Sequence, residues 1–302
     1  MRIFTDTLDF SAPARDRPQL WRTAAGFTFT ALIYAALSMA LVPVFDIVFD
    51  VDPNTLLEGA LPITGVYVFG GFIGIHVGLA LTLRLFHKRT VSSLFGASSK
   101  LNLAHAIYGF VIFSAVLTIS MLALIPEKIF MPESMLPEYN VRQIGPWLAW
   151  LPLAALLILI QSSAEELVFR GYLLQQLKAR INSPWVYAVL PSLVFGLIHY
   201  DSESFGTLNA SLYVLNTFIA GLIACDLTLR TGNLGAVIGV HFANNLLATG
   251  MSFAGYGSGF TLVTLSVSLS GGYVTYALLF QTSLEILAYL AWLQWMRRRG
   301  RR

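Results

Sequence analysis

Three short stretches hold nearly all the chemistry this chain could perform. SSAEELVFRG, residues 162–171, sets Glu165 beside Glu166 and places Arg170 four residues after the second glutamate. PSLVFGLIHY, residues 191–200, carries Phe195 and His199, and NLGAVIGVHFANNLL, residues 233–247, carries His241 and Asn245, each pair again four apart. Residues four apart share a helix face, so Glu166 and Arg170 can neutralise one another, while Glu165 points about 100° away and is left unpaired. His241 and Asn245 share a face in the same way; the neighbouring Asn244 offers a second register, and the spacing of four selects Asn245.

One carboxylate and two imidazoles have two uses if they meet. Glu165, His199 and His241 could bind a divalent ion such as Zn2+ with an open position for water. Alternatively Glu165 acts as general base on a water that His199 orients, with His241 and Asn245 donating to the developing oxyanion. Either arrangement hydrolyses an acyl bond. An amide is a poor zinc ligand and a good oxyanion donor, so Asn245 favours the second.

The surroundings of these residues are apolar. The 302 residues are 56% hydrophobic and 12% charged, with a mean hydropathy of +0.68, a composition that implies a polytopic protein in a lipid bilayer and no nucleic-acid partner. An ionisable group inside a membrane segment costs about 2.5 to 3.5 kcal/mol, so each needs a partner or a task. Runs without Asp, Glu, Lys or Arg span 23–45, 59–83, 101–126, 143–164, 181–200 and 204–225, each near the roughly 20 residues that cross a hydrocarbon core. The longer run 231–284 has room for a crossing near 234–249 and the start of a last helix over 273–296. The expectation is an all-α membrane protein of about eight transmembrane helices.

Its organisation reads as an N-terminal segment 1–22, three helices within 23–142, motif-bearing helices within 143–250, and a connection, last helix and basic tail over 251–302. On an eight-span plan every Lys and Arg except Lys128 and Arg142 lies on the side of the N-terminus. The positive-inside rule then places both termini in the cytoplasm, with the closing RRRGRR as a flank or lipid-surface anchor. The first apolar run is too long for a signal-peptide core, so no cleavage is expected. Cys225 stands alone, which leaves no intramolecular disulfide and no cysteine-based zinc cluster. Pro and Gly punctuate the connections, as in GYGSG at 255–259, and no internal repeat is visible.

Depth ties the three motifs together. Asn182 marks a hairpin apex; Glu165 precedes it and His199 follows it by equal chain lengths, so the two sit level, roughly 20 to 25 Å from the apex. Gln175, Gln176, Lys178 and Arg180 suggest that the hairpin projects about 10 Å beyond the membrane, which brings His241, about 12 Å below the turn at Asn233, to the same level.

The ordered set of Glu165-Glu166-xxx-Arg170, Phe195-xxx-His199 and His241-xxx-Asn245 resembles the CAAX prenyl endopeptidase and bacteriocin-processing (ABI, CPBP) family of intramembrane proteases. The likeness covers about 85 residues of motif-bearing core. It implies endopeptidase cleavage of a membrane-embedded or lipidated substrate, with Glu165 activating water, Glu166 and Arg170 in support, His199 placing water or metal, and His241 with Asn245 at the oxyanion. The family is often labelled metalloprotease, and a metal-free account competes with that label. An integral protein of the bacterial inner (plasma) membrane is expected.

Two other classes compete: a non-catalytic scaffold or immunity protein of the same fold, and a proton-coupled transporter, which the missing repeat disfavours. Asp226 is expected to pair with Arg230, and Glu285 to bond to a neighbouring helix. His76 and His105 read as packing residues, and Trp147, Trp150, Trp185, Trp292 and Trp295 as interfacial anchors.

Overall fold

The computed structural model describes residues 8–254 and 258–299. Residues 255–257 of GYGSG and 300–302 of the tail RRRGRR lie outside the described residues, as does the Trp295 side chain. Each predicted apolar run is helical: α1 (Leu20–Phe49), α2 (Pro62–His87), α3 (Leu103–Ser120), α4 (Ile144–Arg180), α5 (Trp185–Leu197), α6 (Ser202–Thr231), α7 (Gly235–Leu247) and α8 (Gly272–Arg299). Six of them are long and apolar enough to cross a membrane; α5 and α7 are shorter apolar helices. At 1.5 Å per residue each of these two extends only about 20 Å.

The protein is an integral membrane protein, and the surface shows why its solvent must be lipid. Leu103, Ile107, Val111, Ile112 and Ile119 of α3 are all exposed, as are Leu32, Met39 and Ile47 of α1. In water such a surface would drive aggregation; in hydrocarbon it costs nothing.

Helix α4 is the axis of the molecule. It keeps α-helical geometry through Glu166, then loosens into wider turns over Leu167–Leu173, and tightens again to Arg180. Wide turns of this kind concentrate at functional positions, and this one begins at the residue after the paired glutamates. Leu167, Phe169, Tyr172 and Leu174 from this stretch pack with Phe10, Leu79, Leu83, Leu94, Leu229 and Leu234 in the main core.

The end of α4 is sheathed. Gln175 and Gln176, which the sequence places on a projecting hairpin, are fully buried. Gln175 Nε2 donates to the Ser93 and Leu94 carbonyls, and its Oε1 accepts from Arg89 Nη2 at 2.8 Å. Gln176 meets His87 Nδ1 at 3.1 Å. The chain after α2 folds back over this end, a tertiary contact that hydropathy does not register.

Helix α7 is held against α3 by the absence of side chains. A Cβ on Gly239 would lie 2.0 Å from the Ala106 carbonyl oxygen, and one on Gly109 would lie 2.3 Å from that of Ala236. Small residues let two apolar helices approach this closely in lipid.

One small non-helical element accompanies the helices. A small sheet in the order β1-β3-β2 joins β1 (Glu138–Val141), β2 (Met251–Phe253) and β3 (Val263–Ser266). β1 pairs antiparallel with β3, and β2 parallel with it. The strands are too short to show a period-two pattern, and their partners are distant in sequence. Arg142 fastens the sheet region, donating to the Gly259 carbonyl at 2.6 Å and to the Ala60 carbonyl at 3.0 Å. Trp147 donates its Nε1–H to the carbonyls of Thr249 and Phe260.

Candidate active site

The three motifs converge on the seam between α4 and α7. These helices run antiparallel, so residues one turn apart on one meet residues one turn apart on the other. Gln161 faces Asn245, with Asn245 Nδ2 donating to Gln161 Oε1 at 2.8 Å. One turn along, Glu165 and Glu166 face His241.

His241 lies between the two carboxylates. Its Nδ1 is bonded to Glu166 Oε1 at 2.8 Å, and its Nε2 stands 3.6 Å from Glu165 Oε2. Glu166 Oε1 also accepts from Arg170 Nη1 at 3.1 Å, the within-helix pair that the spacing predicts. Both members of that pair are almost wholly buried. Isolated charges at such a site would be prohibitive, and mutual pairing offsets their desolvation. Glu166 therefore has two partners on one oxygen, while its Oε2 is buried with none among the described residues.

Glu165 differs from its neighbour. It is 9% exposed and makes no hydrogen bond among the described residues; the His241 nitrogen is beyond hydrogen-bonding reach. A carboxylate with unused acceptor capacity beside an imidazole has the chemistry to accept a proton from a water.

His199 joins the group through an aromatic link. Its Nδ1 meets the Phe195 carbonyl at 2.7 Å, which fixes the ring and leaves Nε2 as the outward nitrogen. The Phe195 ring packs edge-on against both His199, at 5.0 Å between centroids, and His241, at 6.4 Å. The Arg170 guanidinium lies 4.5 Å from the same ring. Phe195 thus spaces the two imidazoles apart. Past the end of α5, Asp201 caps α6, accepting from the backbone N–H groups of Glu203 and Ser204. The Ser204 bond, followed by that of Glu203, holds the Asp201 carboxyl below its ordinary range.

The metal reading finds no support in this geometry. Among the described residues no three or more His, Cys, Asp or Glu side chains gather closely enough to hold a metal ion. Glu165 and His241 approach one another, but His199 has one nitrogen engaged at its own helix end and stands beyond the Phe195 ring. As arranged, Glu165, His199 and His241 do not fit a Zn2+ site.

Residues outside the seam fall into place as packing. Asp226 pairs with Arg230 and accepts from the Tyr289 hydroxyl at 2.7 Å. Glu285 accepts from Asn216 of α6 at 3.4 Å and from Gln281 at 3.2 Å. His76 Nε2 meets the Ile160 carbonyl at 3.0 Å, joining α2 to α4. Cys225 is buried and unoxidised. Two features escaped the motif reading: the bond from His241 to Glu166, where the sequence groups His241 with Glu165 and His199, and the bond from Asn245 to Gln161. The helical spacing of Gln161 and Glu165 against Asn245 and His241 carried a signal for the second.

Comparison with known proteins gives this seam a context. Residues 146–247 match the family described as type II CAAX prenyl endopeptidase Rce1-like. The uncharacterized protein YyaK of Bacillus subtilis (strain 168) is 27% identical over 250 residues, covering 78% of this chain and 79% of that one. The matched segment begins at the start of α4 and ends with α7, enclosing all three motifs. Over residues 146–247, the chain is similar to the Rce1-like, type II CAAX prenyl endopeptidase family.

Proposed function

We propose that this protein is an intramembrane endopeptidase that hydrolyses a peptide bond in a membrane-associated or lipidated substrate by a metal-free, glutamate-based mechanism. The observation that carries the proposal is the unequal state of the two adjacent glutamates: Glu166 is bonded to Arg170 and His241, while Glu165, 3.6 Å from His241 Nε2, makes no hydrogen bond among the described residues.

Glu165 takes a proton from a water that the outward Nε2 of His199 orients. The water oxygen attacks the scissile carbonyl carbon, and the carbonyl electrons move onto oxygen. Asn245, and the Nε2–H of a protonated His241, donate to that oxyanion. When the intermediate collapses, the C–N bond breaks, and the proton held by Glu165 passes to the leaving nitrogen. Glu166, itself held by Arg170, holds Nδ1 of His241, which keeps Nε2 aimed toward Glu165; the two position the ring and do not exchange protons with substrate.

The apolar surroundings suit this chemistry, since hydrogen bonds to a developing charge are stronger where water is scarce. They also select substrates that enter from lipid. A bacterial plasma membrane, with the Lys- and Arg-rich side and both termini cytoplasmic, fits the charge asymmetry.

Two measurements test the proposal. Comparing membrane peptides from cells with and without the protein identifies peptides that accumulate in its absence, and purified protein should cleave them. Glu165→Gln should abolish that cleavage with the fold retained. A Glu165→Gln protein that cleaves at the wild-type rate removes Glu165 as the base.

A further inference from the structure

We infer that Gln161 is a positioning residue of this site: its carbonyl end fixes the side-chain amide of Asn245 so that one N–H faces the position of the oxyanion. The inference rests on the hydrolytic reading above and adds a residue that the three motifs do not include.

The amide orientation is set by hydrogen bonds at both of its ends. Asn245 Oδ1 accepts from Asn244 Nδ2 at 3.0 Å, and Asn245 Nδ2 donates to Gln161 Oε1 at 2.8 Å. An amide nitrogen carries two hydrogens, so one remains for a substrate. Gln161 Oε1 also accepts from the Ser162 hydroxyl at 3.2 Å, which fills both acceptor positions of that oxygen. Gln161 and Ser162 are themselves buried, so water cannot replace them as partners.

Without the Gln161 oxygen, the Asn245 amide can turn over and present Oδ1 where negative charge develops. An acceptor in place of a donor opposes the transition state and leaves substrate binding nearly unchanged. Helix α7 would stay where it is, because Gly239 holds it against α3 from the opposite side. The consequence is therefore local to the amide.

The test uses the full-length purified protein in lipid vesicles and a reporter built from a peptide that accumulates when cells lack the protein. Gln161→Met keeps the length and removes the acceptor; Gln161→Leu serves the same purpose if the methionine variant folds poorly. Gln161→Met should lower kcat about 10- to 100-fold, the scale set by misplacing a catalytic group, with KM within about twofold. Asn245→Leu should lower kcat by about 100-fold or more, the scale for a lost oxyanion donor. The double variant should be no slower than Asn245→Leu alone, because a residue acting only through Asn245 has no further effect once Asn245 is gone. Wild-type kcat in Gln161→Met, or losses that multiply in the double variant, overturn the inference while Glu165→Gln stays inactive. A wild-type protein as inert as Glu165→Gln overturns the hydrolytic reading and this inference together.

Discussion

Two polar seams run between apolar helices of this protein, one joining α4 to α7 and the other joining α6 to α8. In the second, the polar groups are bonded across the helix interface. Asn209 is bonded to Thr275 and to the carbonyls of Leu269 and Gly271, Asn216 to Thr282 and Glu285, and Asp226 to Arg230 and Tyr289. In the first, Glu165 has no hydrogen bond and one oxygen of Glu166 has no partner among the described residues. Both seams place carboxylates among lipid-facing helices, so intramembrane charge alone does not mark a reactive site. What sets the first seam apart is that its unused hydrogen-bonding capacity sits on two adjacent carboxylates beside an imidazole, where a bound molecule could take it up.

The largest expected effect falls on the α4–α7 seam. Glu165→Gln should reduce cleavage by about a thousandfold or more, toward the upper end of what acid–base catalysis contributes, measured on reporter hydrolysis. Its thermal midpoint should stay near that of the wild type, since the carboxylate makes no hydrogen bond to lose.

The two within-helix ion pairs sharpen the comparison. Arg170→Leu leaves Glu166 buried with only His241, and should destabilise the protein by about 3 to 5 kcal/mol, as expected for an orphaned buried charge. Arg230→Leu should cost less, because Asp226 keeps the Tyr289 hydroxyl. Denaturation of both variants in the same lipid decides this; equal losses would erase the distinction between the seams.

A smaller effect is expected at Asp201, which caps α6. Asp201→Ala should cost about 1 kcal/mol, the usual value of a helix N-cap. Its folded-state carboxyl lies below the ordinary aspartate value of 3.8, chiefly through the Ser204 N–H. The stabilisation is therefore present above that value and is lost as pH falls through the lower, folded-state one. The difference in thermal midpoint between wild type and variant should be full at neutral pH and shrink in strong acid.

Smallest of all should be Glu285→Gln, because the amide oxygen can still accept from one of its two donors, Asn216 or Gln281; cleavage within about twofold of wild type is expected for a change outside the reacting group. A loss comparable to that of Glu165→Gln would make the α6–α8 seam part of the site. Strong chelators should also leave the rate unchanged, and activity lost to chelation and restored specifically by zinc would overturn the metal-free mechanism.

Much of this architecture is legible in the sequence, for reasons that can be named. Runs free of charge mark the helices, since lipid tolerates nothing else over that length. The pairing of Asp226 with Arg230 and of Glu166 with Arg170 follows from a spacing of four. What stayed hidden depends on which helices become neighbours and how they are rotated. That His241 bonds to Glu166 and only approaches Glu165 is fixed by the rotation of α7 against α4, which no periodicity reports. Gln161 carries no charge and sits at the end of an apolar run, so it stands out only once Asn245 is seen opposite. The three strands are hidden by brevity.

The shortness of α5 and α7 creates a hydrophobic mismatch at the heart of the molecule. A helix of about 20 Å in a hydrocarbon layer of about 30 Å draws the bilayer thin or leaves a notch for water beside its end. His199 lies just past the end of α5, and His241 and Asn245 lie on α7. The hydrolysis proposed above needs both a substrate segment held in lipid and a supply of water, and a locally thinned membrane would provide the two side by side. A peptide that loosens from its helix at such a place would expose its backbone over a shorter depth of hydrocarbon, so on that proposal the feature that admits water would also lower the barrier to presenting the bond to be cut.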